Sequence, residues 1–210
     1  MIKKFYDTKI LPSLINCCCA TKPINHQRQK IIPQASGCIL EIGIGSGLNL
    51  PYYDKNKVSK IIAIEPSDEL NKIAKKNAIK NDIKIELIRG IAENIEIEDK
   101  SVDTIIMTYT LCTIPDTKLA LKEIKRVMKP NARILFSEHG IAPDKKVIKW
   151  QNKINPLWNN FFGGCNLNRN IPHLIKNAGF KFDAIDQMYL PSTPKFIGYN
   201  YWGSASLVNE

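Results

Sequence analysis

The sequence predicts an α/β protein built on a doubly wound sheet, and three observations carry that expectation. An apolar run, Cys38-Ile39-Leu40-Glu41-Ile42, leads into Gly43-Ile44-Gly45-Ser46-Gly47, with a glycine at every second position. Such a loop lets the chain turn sharply off a strand end and approach a ligand closely. Short apolar runs then alternate with helical patterns as far as Ser137, and the chain closes on an expected strand pair, Phe180–Tyr189 and Phe196–Ser204.

In order, residues from Lys9 to about Ala35 read as a helical region broken by Pro12, Pro23 and Pro33, which makes 1–36 a helical prelude to a single domain over 37–210. Strand one is Cys38–Ile42 and strand two Lys60–Ile64, and Leu50-Pro51-Tyr52-Tyr53 leaves room between them for only a short helix. Ser67 caps the next helix, with Asp68 and Glu69 in its first turn and lysines further on, the charge order that a helix dipole favours. Strand three is Ile83–Ile88 and strand four Val102–Met107. Leu119, Ile124, Val127 and Met128 give the apolar face of a helix that stops before Pro130. Strand five is Arg133–Ser137. An aromatic insertion from Ile141 to Arg169 (141–169) follows, then a last helix, Asn170–Ala178, ended by Gly179.

Composition bounds the class. A chain of 210 residues at 44% hydrophobic suits one well-buried core. No segment approaches the ~20 consecutive apolar residues that a spanning helix needs, and Met1-Ile2-Lys3-Lys4-Phe5 lacks the apolar core of a signal peptide, so a cytoplasmic location is expected. The net charge of +10 comes from 25 Lys against 5 Arg, without the guanidinium forks that suit phosphate recognition. It makes no strong case for nucleic acid and leaves room for weak peripheral membrane contact. Cys17, Cys18 and Cys19 point about 100° apart in a helix, so a shared metal is not expected there, and they read as small apolar residues.

Ligands of such sheets collect at the carboxyl ends of the strands. Glu65, followed by Pro66, ends strand two where a carboxylate can accept both hydroxyls of a ribose, which serves NAD and S-adenosylmethionine (SAM) alike. Glu41 separates the two, because an acid beside the glycine loop suits a cationic amino-acid end and repels a pyrophosphate. The spacing E-x-G-x-G-x-G over Glu41, Gly43, Gly45 and Gly47 resembles motif I of the class I SAM-dependent methyltransferases.

That resemblance implies a Rossmann-like seven-stranded doubly wound sheet with an antiparallel last strand, and SAM as cofactor. It places Ile91 where many members have the Asp that holds adenine, leaving the Ala92 backbone and Glu93 for that role, with helix capping the alternative for Glu93. Thr108 would face the methionine part of SAM, and Cys112 reads as packing. At the end of strand five, His139 is either a proton acceptor for a substrate or a structural partner of the insertion. Glu138 beside it points to the opposite face of the strand.

The run Leu40 to Asn49, the Leu111-Cys112-Thr113 turn, the Glu138-His139 pair and Gly164-Cys165-Asn166-Leu167-Asn168-Arg169 together resemble the methyltransferase-like thiol S-methyltransferases and their bacterial relatives. The likeness implies methyl transfer to a small-molecule thiol by in-line displacement, with Trp150, Trp158, Phe161 and Phe162 of the insertion covering the acceptor site. Motif I also resembles soluble bacterial phospholipid N-methyltransferases, so a lipid or small-amine acceptor is the alternative. A SAM-binding protein without turnover is another.

Overall fold

In the computed structural model, which describes residues 5–208, seven strands form one sheet. They are β1 (Gly37–Ile42), β2 (Val58–Ile64), β3 (Glu86–Ile88), β4 (Val102–Thr108), β5 (Met128–His139), β6 (Phe180–Tyr189) and β7 (Tyr199–Leu207), in the order β3-β2-β1-β4-β5-β7-β6. The first five are parallel, and β7 runs antiparallel to both β5 and β6. The central strands are apolar on both faces because helices cover both. Leu40, Ile42, Ile105, Met107, Ile134 and Phe136 pack to one side with Leu121, Ile124, Ile171 and Ile175. Ile39, Ile61, Ala63, Ile106 and Leu135 pack to the other with Ile31, Ala74 and Ala78.

The helices are α1 (Leu11–Cys19), α2 (Lys22–Ile31), α3 (Asp68–Lys80), α4 (Thr117–Val127), α5 (Lys145–Phe161), α6 (Ile171–Asn177) and the single turn α7 (Lys195–Gly198). A π-helical turn, Tyr6–Ile10, precedes α1. Pro12 and Pro23 sit in the first turns of α1 and α2, where a missing N–H costs nothing, so these prolines begin helices rather than break them. Ser67 caps α3 by accepting the Leu70 N–H. Among the described residues no helix is long and apolar enough to cross a membrane.

Several boundaries differ from the sequence expectation for identifiable reasons. β3 is three residues long because Ile83 N–H is spent on the Ala78 carbonyl at the end of α3, and Asp82 takes a left-handed turn with φ 51°. Val127 ends α4, and Met128 already pairs with Val102, so β5 is twelve residues long rather than five. Leu119 is 42% exposed, and Ala120 and Leu121 supply the buried face instead. Phe196 lies in α7, so the last strand begins at Tyr199. Cys17 and Cys18 lie in α1 as expected but are exposed.

The order of the sheet places the site. Sequential strands run outward from β1 through β2 to β3, and from β4 through β5. The neighbours β1 and β4 therefore flank the switch point, where a crevice opens beyond the carboxyl ends of the strands.

Candidate active site

The glycine loop is hooked to its neighbour strand, since Gly43 and Ile44 both donate to the Ile64 carbonyl at the end of β2. Gly43 has φ +66°, and a Cβ there would stand 2.6 Å from Thr110 Cγ2. Gly45 has φ +57° with open space where its Cβ would be. Gly47 at φ +82° lies against Leu50 and the α3 backbone at Ala74, so its role is close packing of the loop on the helix. Gly43 and Gly45 line a cavity of about 70 Å³, together with Asn49, Thr108, Tyr109 and, from the N-terminal helices, Asn16 and Arg28.

Below this cavity lies a buried polar network. Glu41 is 1% exposed and accepts from Asn49 Nδ2 at 2.8 Å and from the Tyr53 hydroxyl at 2.6 Å. Burial outweighs both bonds and the nearby Arg28 charge, and pushes the Glu41 carboxyl up to about 7. Asn49 also donates to Thr108 Oγ1 and accepts from Arg28 Nε at 3.0 Å. Arg28 is itself buried, donates to the Cys19 carbonyl and sits 5.5 Å from the centre of the Tyr109 ring. Asn16 and Ser46 Oγ are joined by a 2.5 Å hydrogen bond. Helices α1 and α2 thereby close one side of the crevice.

Glu65 accepts from the Gly45 and Ser67 N–H groups, one on each carboxylate oxygen, and its carboxyl is pushed up by burial. Pro66 is exposed. Ala92 is buried in the core, while Glu93 accepts the N–H of Asp116, which itself caps α4. The structure thus gathers Gly43, Gly45 and Thr108 at one cavity, puts Glu41 behind Asn49 and Glu65 behind Gly45, and ties Glu93 to the start of α4.

A second cavity, of about 370 Å³, shares Ile15, Cys19 and Tyr109 with the first. Tyr109 stands between the two with φ 57°, unusual for a bulky residue, and is held by its N–H to Ser137 and its hydroxyl to Asn200. The wall opposite α1 is Cys112, His139, Trp158, Phe162 and Cys165. His139 Nε2 lies 3.1 Å from Cys165 Sγ, Trp158 Nε1 donates to the same sulfur at 3.4 Å, and Cys112 Sγ is 3.9 Å away. The Cys112 thiol and then the charge of His139 hold Cys165 well below the usual thiol range, against the opposing effect of burial. Cys112 is driven up as the partner that keeps its proton. Burial lowers the His139 imidazole, but contact with Cys165 prevails and raises it.

The insertion is fixed over this cavity by one buried amide. Gln151 in α5 donates to the carbonyls of Gly140, Leu167 and Phe196 and accepts the Ala142 N–H. Asn166 and Arg169 donate to the carbonyls of Cys112 and of Leu111 and Ile114, which locks the Gly-Cys-Asn-Leu segment onto the loop after β4. Glu138 serves that same loop by accepting the N–H groups of Thr110 and Leu111, and does not hydrogen-bond its neighbour His139.

Comparison with known proteins agrees with this geometry. Residues 40–136 match a methyltransferase domain model. A thiol S-methyltransferase of rat, TMT1B, is 28% identical over 169 residues, covering 76% of this chain and 68% of that protein. Human TMT1A is 26% identical over 178 residues, covering 82% and 72%. A SAM-dependent methyltransferase of Aquifex aeolicus has the same fold, with a TM-score of 0.67 at 20% identity over 95% of this chain and all of that one. The chain is a class I SAM-dependent methyltransferase. Its cofactor is SAM.

Sequence reasoning missed Arg28, Tyr109 and Cys165 as individuals. Arg28 lies in a polar stretch with no motif, and Tyr109 follows a strand without any signal of its left-handed backbone. Cys165 belongs to the Gly-Cys-Asn-Leu segment, but only the fold brings it to His139. Cys112, expected as plain packing, is buried and also faces the cavity.

Proposed function

We propose that this methyltransferase methylates a small-molecule thiol. SAM would lie along the glycine loop, its ribose against Glu65, its adenine near Ala92 and Glu93, and its amino-acid end over Asn49, Thr108 and Arg28, with Glu41 supplying charge from beneath. The observation that carries the reading is the pair of cavities meeting at Tyr109, the farther one apolar and bearing the Cys165–His139 pair on its wall. An apolar enclosure excludes water from a methyl already activated on a sulfonium, so the protein has to bring a nucleophile into line and strip its proton. A thiol reacts as its thiolate, and His139 with Cys165 is where that proton is lost. Similarity to thiol S-methyltransferases supports the same acceptor.

A His139→Gln variant tests the assignment: SAM affinity by titration calorimetry stays as in the wild type while turnover with small thiols falls at least ~10²-fold. Full turnover at every pH would remove His139 from the mechanism. The second reading, a lipid headgroup or small-amine acceptor, is favoured by one surface: Trp150, Leu157 and Phe161 of α5 are more than half exposed, and Tyr6 is hydrogen-bonded to Phe161 beside exposed Phe5 and Ile10. With the basic net charge, that surface suits weak contact with an anionic bilayer. All six cysteines are free, in keeping with a cytoplasmic protein.

A further inference from the structure

The three chemistry-bearing side chains on the wall of the larger cavity come from separate parts of the chain. Cys112 belongs to the loop after β4, His139 to the end of β5 and Cys165 to the segment after α5. Their ligating atoms lie within 4.8 Å of one another, with Cys165 Sγ 3.1 Å from His139 Nε2 and 3.9 Å from Cys112 Sγ. In a tetrahedral zinc site, Zn–S near ~2.3 Å and Zn–N near ~2.0–2.1 Å put neighbouring ligand atoms about 3.5–3.8 Å apart. Shifts of no more than about 1.3 Å, within the reach of side-chain rotation, bring all three to that spacing.

We propose that Cys112, His139 and Cys165 form a zinc site with its fourth position open to the acceptor cavity. The proposal rests on the thiol reading of the same cavity and deepens it. Two thiolates and one divalent ion sum to zero charge, which removes the main cost of burying either thiolate alone beside Glu138. Soft sulfur with one imidazole selects zinc over magnesium or calcium. Three protein ligands with an open position is the pattern of a site that acts on a substrate, whereas a structural site is closed by a fourth. The surroundings hold the ligands in place. Trp158 donates to Cys165, while Glu138 and Arg169 fix the loop that carries Cys112.

The chemistry follows and balances. An acceptor thiol enters the fourth position, its S–H bond breaks and the proton passes to water at the cavity mouth, because a coordinating thiol is deprotonated outright. The bound thiolate sulfur forms a bond to the methyl carbon as the carbon–sulfur bond of the SAM sulfonium breaks. S-adenosylhomocysteine and a neutral methyl thioether result, and the thioether is a weak ligand that leaves. With the ion in place His139 is a ligand, and the ion takes over the deprotonation.

The test is metal binding by the whole chain, read apart from turnover. Protein produced with zinc and then desalted should hold about one zinc per chain by elemental analysis, and cobalt(II) added to stripped protein should give thiolate charge-transfer bands with tetrahedral visible bands. Cys165→Ser and His139→Ala should weaken cobalt binding roughly a hundredfold or more, and Cys38→Ser should not. SAM titration of each variant confirms that the fold survives. No zinc in the wild type, or zinc retained in Cys165→Ser through the exposed Cys17–Cys18 pair, would overturn the site. Thiol methylation that persists after complete chelation would overturn it too while leaving the thiol reading intact. Zinc bound at these ligands with no thiol turnover would keep the site and sink that reading.

Discussion

Replacing Glu41 by Gln should make the protein more stable and a poorer SAM binder. Glu41 is fully enclosed, and its carboxyl rises from an ordinary 4.5 to about 7 because burial penalises the charged form more than Asn49, Tyr53 and Arg28 favour it. Below pH 4.5 the group is protonated in folded and unfolded chains alike and has no effect on stability. Between 4.5 and 7 the folded chain keeps a proton that the unfolded chain releases, so stability falls as pH rises, and above 7 the penalty is complete. A shift of about 2.5 units corresponds to roughly 3 kcal/mol. Gln preserves the shape, accepting from Asn49 through its oxygen and donating to the Tyr53 hydroxyl through its amide. Urea unfolding of wild type and Glu41→Gln at pH 4 and pH 8.5 measures the difference directly. The variant should gain up to about 3 kcal/mol at pH 8.5 and show almost no difference at pH 4. On the proposed SAM pose the same substitution should also weaken SAM at least ~10-fold, since the negative charge held behind Asn49 is lost. A variant less stable than wild type at pH 8.5 would refute the reasoning, because it would mean that the ionised carboxylate is well solvated by its network.

Three further outcomes follow from the same contacts. Gly43→Ala combines a left-handed backbone with a Cβ 2.6 Å from Thr110; a loss of about 2–3 kcal/mol in urea midpoint stability, with SAM binding impaired, is expected. Arg28→Met removes donors to Asn49 and Cys19 and should raise the SAM dissociation constant by calorimetry at least ~10-fold, with limited proteolysis showing earlier cleavage in α1. Gln151→Leu leaves the Gly140, Leu167 and Phe196 carbonyls and the Ala142 N–H unpaired. About 2–4 kcal/mol should be lost, and hydrogen exchange should quicken across 141–169 while β1 and β4 stay protected.

The strands were legible where a run of apolar residues is bounded by turn formers. β6 lies where the pattern put it, and β1, β2 and β4 differ from expectation by no more than two residues at either end. The edge strand β3 was overdrawn because Ile83 and Ile85 look like strand residues locally, whereas the end of α3 claims the Ile83 N–H. The glycine loop and the acids at the ends of β1 and β2 lie where their spacing put them, with Gly43, Gly45 and Gly47 all at positive φ. The wall of the second cavity was not legible. Cys112, His139 and Cys165 are 27 and 26 residues apart in sequence, and only the fold of the insertion around Gln151 brings them within reach. Arg28 was hidden for the same reason, since its partners Asn49 and Tyr109 lie on the loops after β1 and β4.

The acceptor decides the account. The most direct measurement is release of S-adenosylhomocysteine from SAM by the purified protein, supplied in parallel with small thiols, with ethanolamine-phospholipid vesicles, or with no acceptor. Release with thiols, accompanied by a methyl thioether in the mass spectrum, is the predicted result. Release with vesicles alone would contradict the thiol assignment and move the acceptor to the lipid headgroup.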